Sequence, residues 1–224
     1  MWSKAIKKIL LSTICIVILL VTWVLISNKD SKGMTIRQQM LRAFYPVLMK
    51  LQKGKQLTKP SNVIVPPISF YSLSAVLNNG DTLHFETLRG KKVLIVNTAS
   101  DCGFTGQYKE LQDLYAAERN DLVILGFPAN DFKAQEKGTN ADIADFCKMN
   151  YGVEFPLMQK STVIKALNQN KVFSWLSDAK QNGWCSKAPA WNFSKYLIDR
   201  SGNLTQYFDP SVAPSGSVFM EALR

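Results

Sequence analysis

The sequence predicts an α/β domain: a mixed central sheet flanked by helices, opened by a β-hairpin and preceded by a single transmembrane helix. Three observations carry that prediction. Two continuous aliphatic runs, "KKVLIVNTA" and "DLVILGFP", have the character of buried central strands, and each is followed by a helix-patterned segment. A later stretch, "KYLIDRSGNLTQYF", reads as two strands around a tight turn, so the sheet must mix parallel and antiparallel pairs. At the front, Ile9 to Ile26 carries no charge and is long enough to cross a bilayer as a helix.

Taken in order, Lys4, Lys7 and Lys8 precede the apolar run, as they would in a secretory signal. The run is longer than a signal core and no A-x-A-like cleavage site follows, so residues 1–27 read as an uncleaved anchor. Residues 28–67 form a basic juxtamembrane segment. Ile36, Met40, Leu41, Phe44, Leu48 and Leu51 recur there at helical spacing, with Arg37, Arg42 and Lys50 between them. That periodicity fits an interfacial helix held by anionic headgroups and a packed stalk helix equally well. "KPSNVIVPP", Lys59 to Pro67, reads as a linker.

The domain proper is expected over residues 68–224. Its hairpin turns at Asn79-Gly80, a pair that supplies positive φ at low cost. The strand from Lys91 to Ala99 leads to a helix from about Gly106 to Arg119, whose apolar face is Leu111, Leu114 and Tyr115. The strand from Asp121 to Pro128 leads to a helix capped by Thr139 or Asn140 and stopped at Gly152. A short strand after Phe155-Pro156, a helix around Asn170 to Ala179, the second hairpin and a last helix near Ser215 complete the expectation.

The formal net charge of +10 is not spread over this domain. Three lysines before the apolar run, and eight basic residues against Asp30 between Asn28 and Pro60, account for all of it. From Ser61 onward sixteen bases meet sixteen acids, which removes the main argument for a nucleic-acid partner.

"NTASDCGFTGQY" places Cys102 where a buried strand breaks into a turn ahead of a helix. A thiolate there can draw on free amides, with Gly103, Phe104 and Thr105 as the natural donors. There is no C-x-x-C motif, and the one histidine, His84, falls in a hairpin strand; both speak against a disulfide-reductase pair, a Cys–His protease or a zinc site. Cys147 reads as a core position beside Phe146, Cys15 lies in the apolar run, and Cys185 sits in a polar loop.

The blocks "VNTASDCGFTGQYKELQDLY", "LGFPANDFKAQEKG", "IADFCKMNYGVEFPLM" and "WNFSKYLIDRSGN" resemble the glutathione peroxidase family over nearly all of Ile68 to Arg224. The resemblance implies a thioredoxin-like fold and a cofactor-free, metal-free peroxidase. It implies Cys102 as the peroxidatic residue, with Gln135, Trp191 and Asn192 as its polar partners. An amide, an indole N–H and a second amide supply donors without a competing charge. Cys147 resembles the resolving cysteine of the cysteine-type branch, which takes its electrons from a thioredoxin-like protein; glutathione is the other possible reductant. The implied substrates are hydrogen peroxide and organic or lipid hydroperoxides, in response to oxidative stress.

The short stretch between Lys160 and Trp191 matches monomeric members. Three positions depart from the pattern: Asp101 before the nucleophile, Asp131 where glutamine is usual, and Ala129 in place of a cysteine. Two rival readings keep the fold and change the activity: a membrane-tethered thiol–disulfide oxidoreductase, and a catalytically weak binding module. The lysine and arginine counts on the two sides of the apolar run do not decide its orientation. A short N-terminal anchor favours a domain outside the cytoplasm, beside membrane lipid.

Overall fold

The computed structural model describes residues 4–61 and 65–224, so part of the expected linker lies outside the described residues. Helix α1 (Lys4–Ser27) carries the apolar run. Its stretch Ile6–Ser27 has a mean hydropathy of 3.0 with none of it buried in protein, which is long and apolar enough to cross a membrane. Helix α2 (Ile36–Leu51) opens with a reciprocal cap: the Thr35 hydroxyl accepts from Gln38 N–H at 3.3 Å, and the Gln38 side chain accepts from Thr35 N–H at 2.9 Å. The two helices are tied at their junction. Trp23 sits edge-on to Phe44 with ring centroids 4.9 Å apart, and Asn28 Nδ2 donates to the carbonyls of Val24 and Gln39.

Strand β1 (Gln56–Thr58) follows, then the hairpin of β2 (Ser74–Val76) and β3 (Thr82–His84), whose turn uses Gly80 at φ +99°. Strand β4 (Lys92–Thr98) is buried from Val93 onward and leads into α3 (Gln107–Glu118). Strand β5 (Leu122–Pro128) leads into α4 (Asn140–Tyr151), which is capped by the Thr139–Asp142 box and ended by Gly152 at φ +65°. Helices α5 (Lys171–Leu176) and α6 (Ala179–Asn182), strands β6 (Lys195–Ile198) and β7 (Leu204–Phe208), and helix α7 (Ser217–Leu223) complete the chain.

The main sheet runs β1-β7-β6-β4-β5, with β4 and β5 parallel and the other pairs antiparallel. It separates two apolar layers. Leu94 and Val96 of β4 face a layer holding Tyr108, Leu111, Ile143 and Phe219, while Val93 and Ile95 face one holding Phe85, Phe173 and Trp175. Because β4 is covered on both faces, its sequence is continuously aliphatic rather than alternating.

The periodic juxtamembrane helix packs on the domain, one of its two readings, while Ile36, Met40, Phe44 and Leu51 stay exposed: a Cβ at Gly106 would meet the Tyr45 ring at 2.4 Å, Tyr45 hydrogen-bonds Glu110, and the Arg42 guanidinium lies 5.4 Å from the Tyr151 ring centre. Three other expectations change. Part of the segment expected as juxtamembrane helix and linker is strand β1, paired with β7. After Phe155-Pro156 there are only single bridges, Gly126 to Leu157 and Leu77 to Met158. The helix expected around Asn170 to Ala179 breaks at Ser177, because the Asp178 carboxylate accepts from Lys180 N–H and starts α6.

Candidate active site

Cys102 lies in the turn between β4 and α3, 1 % exposed, at the carboxyl end of a central strand. Thr105 fixes that turn: its hydroxyl accepts from Cys102 N–H at 3.0 Å and lies 2.7 Å from the Cys102 carbonyl and 2.9 Å from that of Ala99. Of the amides expected to serve the thiol, Phe104 N–H donates to Cys102 Sγ at 3.4 Å, while Thr105 N–H is used by the Cys102 carbonyl. The side chains of Trp191 and Asn192 also face the sulfur. Asn192 Nδ2 donates to Gln135 Oε1 at 2.9 Å, and Asp101 N–H donates to the Gln135 carbonyl at 3.0 Å. Of the side chains singled out from the sequence, Trp191 and Asn192 therefore meet the Cys102 sulfur, and Gln135 reaches it through Asn192.

Burial pushes the Cys102 pKa up, and this outweighs the Phe104 amide, Trp191 and Asn192, all of which pull it down. The resting residue is thus a thiol among donors aimed at the charge it will carry. The charge of Asp101 adds the smallest of the rises. Its carboxylate does not cap α3; it pairs with Arg37 of α2 at 2.5 Å. Asp131 is likewise occupied, accepting from Val163 N–H at 2.7 Å, so it anchors the loop and leaves the thiol alone.

The loops are held in costly conformations. Lys133 and Ala134 lie at φ +53° and +51° just before Gln135, and Phe193 at +67° just after Asn192. Asn97 holds the second of these. Its Oδ1 accepts from Ser194 N–H at 3.0 Å, its Nδ2 donates to the Trp191 carbonyl at 3.1 Å, and its carbonyl accepts from Phe193 N–H at 2.6 Å. Sequence reasoning passed over Asn97 and the hydroxyl of Thr105. An asparagine inside an aliphatic strand was the available signal, because a fully buried amide needs partners.

Cys147 is fully buried on α4, in the same apolar layer as Cys102, and burial pushes its thiol up to about 12. Cys185 is also buried, not exposed in a polar loop, and it lies in the opposite layer. A cleft of about 510 Å³ opens beside the site, lined by Lys32, Gln38, Asp101, Gln135, Phe146 and Met149 among others.

The Arg37–Asp101 pair gives a prediction about the thiol. Arg37→Gln leaves the Asp101 charge uncompensated and should raise the Cys102 pKa, whereas Asp101→Asn should lower it slightly. The double variant should titrate like Asp101→Asn alone, since the arginine then has no charge to answer. Ultraviolet thiolate titration of the three proteins checks this, and an Arg37→Gln thiol that titrates like the wild type refutes it.

The profile describing "Glutathione peroxidase" matches residues 70–177. The chain is 45% identical over 148 residues to glutathione peroxidase-like peroxiredoxin 2 of Saccharomyces cerevisiae, covering 66% of this chain and 91% of the relative. It is 44% identical over 147 residues to the glutathione peroxidase homolog BsaA of Staphylococcus epidermidis, covering 65% and 92%. The crystal structure of Trgpx in apo form superposes with a TM-score of 0.54 at 31% identity, over 70% of this chain and 96% of that one. With the thioredoxin-like sheet in place and the relatives matched over nearly their whole length, the chain belongs to the glutathione peroxidase family and is a thiol-dependent peroxidase.

Proposed function

We propose that Cys102 is the peroxidatic nucleophile of a membrane-anchored peroxidase, with Gln135, Trp191 and Asn192 as its polar partners and Cys147 as the resolving thiol. The observation that carries this is the convergence of the Phe104 amide, Trp191 and Asn192 on one buried sulfur, with Asn192 held by Gln135.

The Cys102 thiolate attacks the outer oxygen of a hydroperoxide; an S–O bond forms, the O–O bond breaks, and the departing oxygen leaves as the alcohol after taking a proton. Donors preset around the sulfur need no reorganisation as charge moves onto that oxygen. The product is a sulfenic acid at Cys102, which Cys147 condenses into a disulfide with loss of water. A dithiol of the thioredoxin kind then reduces the disulfide by exchange. It is favoured over glutathione because a second thiol occupies the same layer of the core. Cys185 is a poor alternative resolver, since the sheet stands between it and Cys102. Cys147 is sealed within α4, so that helix opens locally for the sulfurs to meet.

The same reading covers location and substrate. The apolar helix is an uncleaved anchor, the domain acts as a monomer outside the cytoplasm, and lipid hydroperoxides are among its substrates. Support comes from the rigid path between anchor and thiol: α1 is fastened to α2, and Leu48 of α2 would touch a Cβ at Gly103, beside the nucleophile, at 3.2 Å. The bilayer and the peroxidatic turn are therefore separated by little more than one helix. Protease added to sealed cells tests the orientation, since protection of the domain would put it in the cytoplasm.

Cys102→Ser should abolish peroxide consumption, because a neutral hydroxyl is a poor attacker of O–O bonds. Cys147→Ser should accumulate sulfenic and then sulfinic acid at Cys102 and lose turnover with thioredoxin. Peptide mapping after thiol blocking reads both, and normal turnover of Cys147→Ser would return that residue to the core.

Phospholipid hydroperoxides in liposomes should be reduced much faster by the full chain than by one starting at Lys29, while both reduce hydrogen peroxide alike. The shorter chain keeps α2 and β1, which are part of the folded unit. Equal rates on liposomes would remove the support for a lipid substrate.

A further inference from the structure

The core beneath the cleft holds polar side chains that the steps above do not use. Among the described residues, Thr98 Oγ1, Ser100 Oγ, Tyr108 Oη and Glu136 Oε2 are all buried without completing a hydrogen bond. Tyr108 and Thr98 are fully buried and Glu136 is 1 % exposed. These groups are neighbours. The Tyr108 hydroxyl lies against the Cys147 thiol and the Thr98 hydroxyl, Glu136 lies beside Ser100, and the Glu136 charge acts on both Tyr108 and Cys147. Buried polar groups in folded proteins are nearly always paired, so a polar cluster that meets only its own members beside one thiol requires a reason. Glu136 and Ser100 also line the cleft, so the cluster runs from Cys147 to solvent.

We propose that Glu136, acting through the Tyr108 hydroxyl, accepts the proton of the Cys147 thiol during resolution and discharges it into the cleft. This rests on the reading of Cys147 as the resolving thiol. Cys147 transfers its proton to the Tyr108 oxygen while Tyr108 passes its own, through one bridging water, to the Glu136 carboxylate. The Cys147 sulfur then attacks the sulfur of the Cys102 sulfenic acid; the S–S bond forms, the S–O bond breaks, and the hydroxide leaves as water with a proton from the cleft. One proton departs through Glu136 and one enters, so charge and atoms balance.

The need for such a base follows from burial. At neutral pH Cys147 is held as a thiol, and bulk hydroxide has no direct path to it. Burial raises Glu136 to about 7, so both of its forms are populated when it must accept and release a proton. The groups facing it are Ser100 from the peroxidatic turn, Tyr108 from α3, Cys147 from α4, and the charges of Lys160 and Asp101. Lys160 Nζ donates to the carbonyls of Glu136, Lys137 and Gly138, which fixes this loop beside α4. Proton loss also has a mechanical consequence. A thiolate in that apolar layer is unfavourable, so deprotonation itself promotes the opening of α4 that resolution needs.

The test times disulfide formation separately from oxidation. Full-length protein is mixed with one equivalent of hydrogen peroxide, oxidation of Cys102 is followed by tryptophan fluorescence, and the Cys102–Cys147 disulfide is counted by mass after rapid thiol blocking. In the wild type the resolution rate should rise with pH through about 7, as the carboxylate form of Glu136 appears, and then level. Glu136→Gln should slow resolution on the order of a hundredfold and lose that inflection, leaving a rate that climbs with hydroxide. Tyr108→Phe, which keeps the ring and removes only the relay oxygen, should slow resolution in the same way and provides the test if Glu136→Gln does not fold. Wild-type rates with the inflection intact in the variants that fold overturn the proposal. Cys147→Ser, run alongside, separates the two failures: a Cys102 disulfide formed without Cys147 dismisses the resolving role itself.

Discussion

Asn97 is the point from which the site is built. It lies next to the end of β4, a central strand covered on both faces, and its side chain and carbonyl together hold Trp191, Phe193 and Ser194 in place. Those bonds sustain Phe193 at positive φ, and that conformation turns Trp191 and Asn192 toward Cys102. Loss of a buried amide that satisfies two backbone groups would expose each of them to the cost of an unmet hydrogen bond, roughly 1–3 kcal/mol apiece. A strained loop persists only where its surroundings over-determine it, and here one residue of β4 does most of that.

Around that scaffold the sulfur is placed under opposing influences. Burial favours the neutral thiol, while an amide, an indole and a carboxamide favour the thiolate. The donors do not win in the resting state, so their effect is reserved for the moment when charge develops and water is excluded. The acid next to the sulfur fits the same logic. Asp101 would oppose ionisation if left alone, but α2 supplies Arg37 to it, and Gln38 Nε2 donates to the adjacent Ser100 carbonyl at 3.2 Å. The acid beside Cys102 is thus answered by a helix from outside the blocks that resemble the family.

What was legible in the sequence was local. The β4 and β5 runs, the Thr139 cap with Asp142 three residues on, and Gly152 as the stop each declare themselves within a few positions. Cys102 stood out from its place between strand and helix, and Gln135, Trp191 and Asn192 only through resemblance to a family. What stayed hidden depends on distant contacts. Strand β1 is three residues, "QLT", with no alternation to mark it, and it exists because β7 offers an edge. The periodicity of α2 marked an apolar face of which Ile36, Met40, Phe44 and Leu51 stay exposed, while the helix packs through Ala43 and Tyr45; Tyr45 finds Gly106, and nothing near either residue forecasts the other. Positive φ at Lys133, Ala134 and Phe193 carries no glycine to betray it.

The placement of α2 changes how the two halves of the chain relate. A basic helix lying on lipid would leave the domain free on a tether, and its charge would act only on headgroups. Here one face of α2 is spent on protein: Ala43 and Tyr45 are buried, Met34 joins the core layer of the thiols, and Arg37 is committed to Asp101, while Ile36, Met40, Phe44, Val47 and Leu51 stay exposed. Helix α1 meets α2 through Trp23, Phe44 and Asn28. The segment after α1 also helps to wall the cleft beside Cys102, to which Lys32, Thr35 and Gln38 contribute surface directly. The contacts that join the apolar helix to the domain thus run through residues 28–51, ahead of every block that resembles the family.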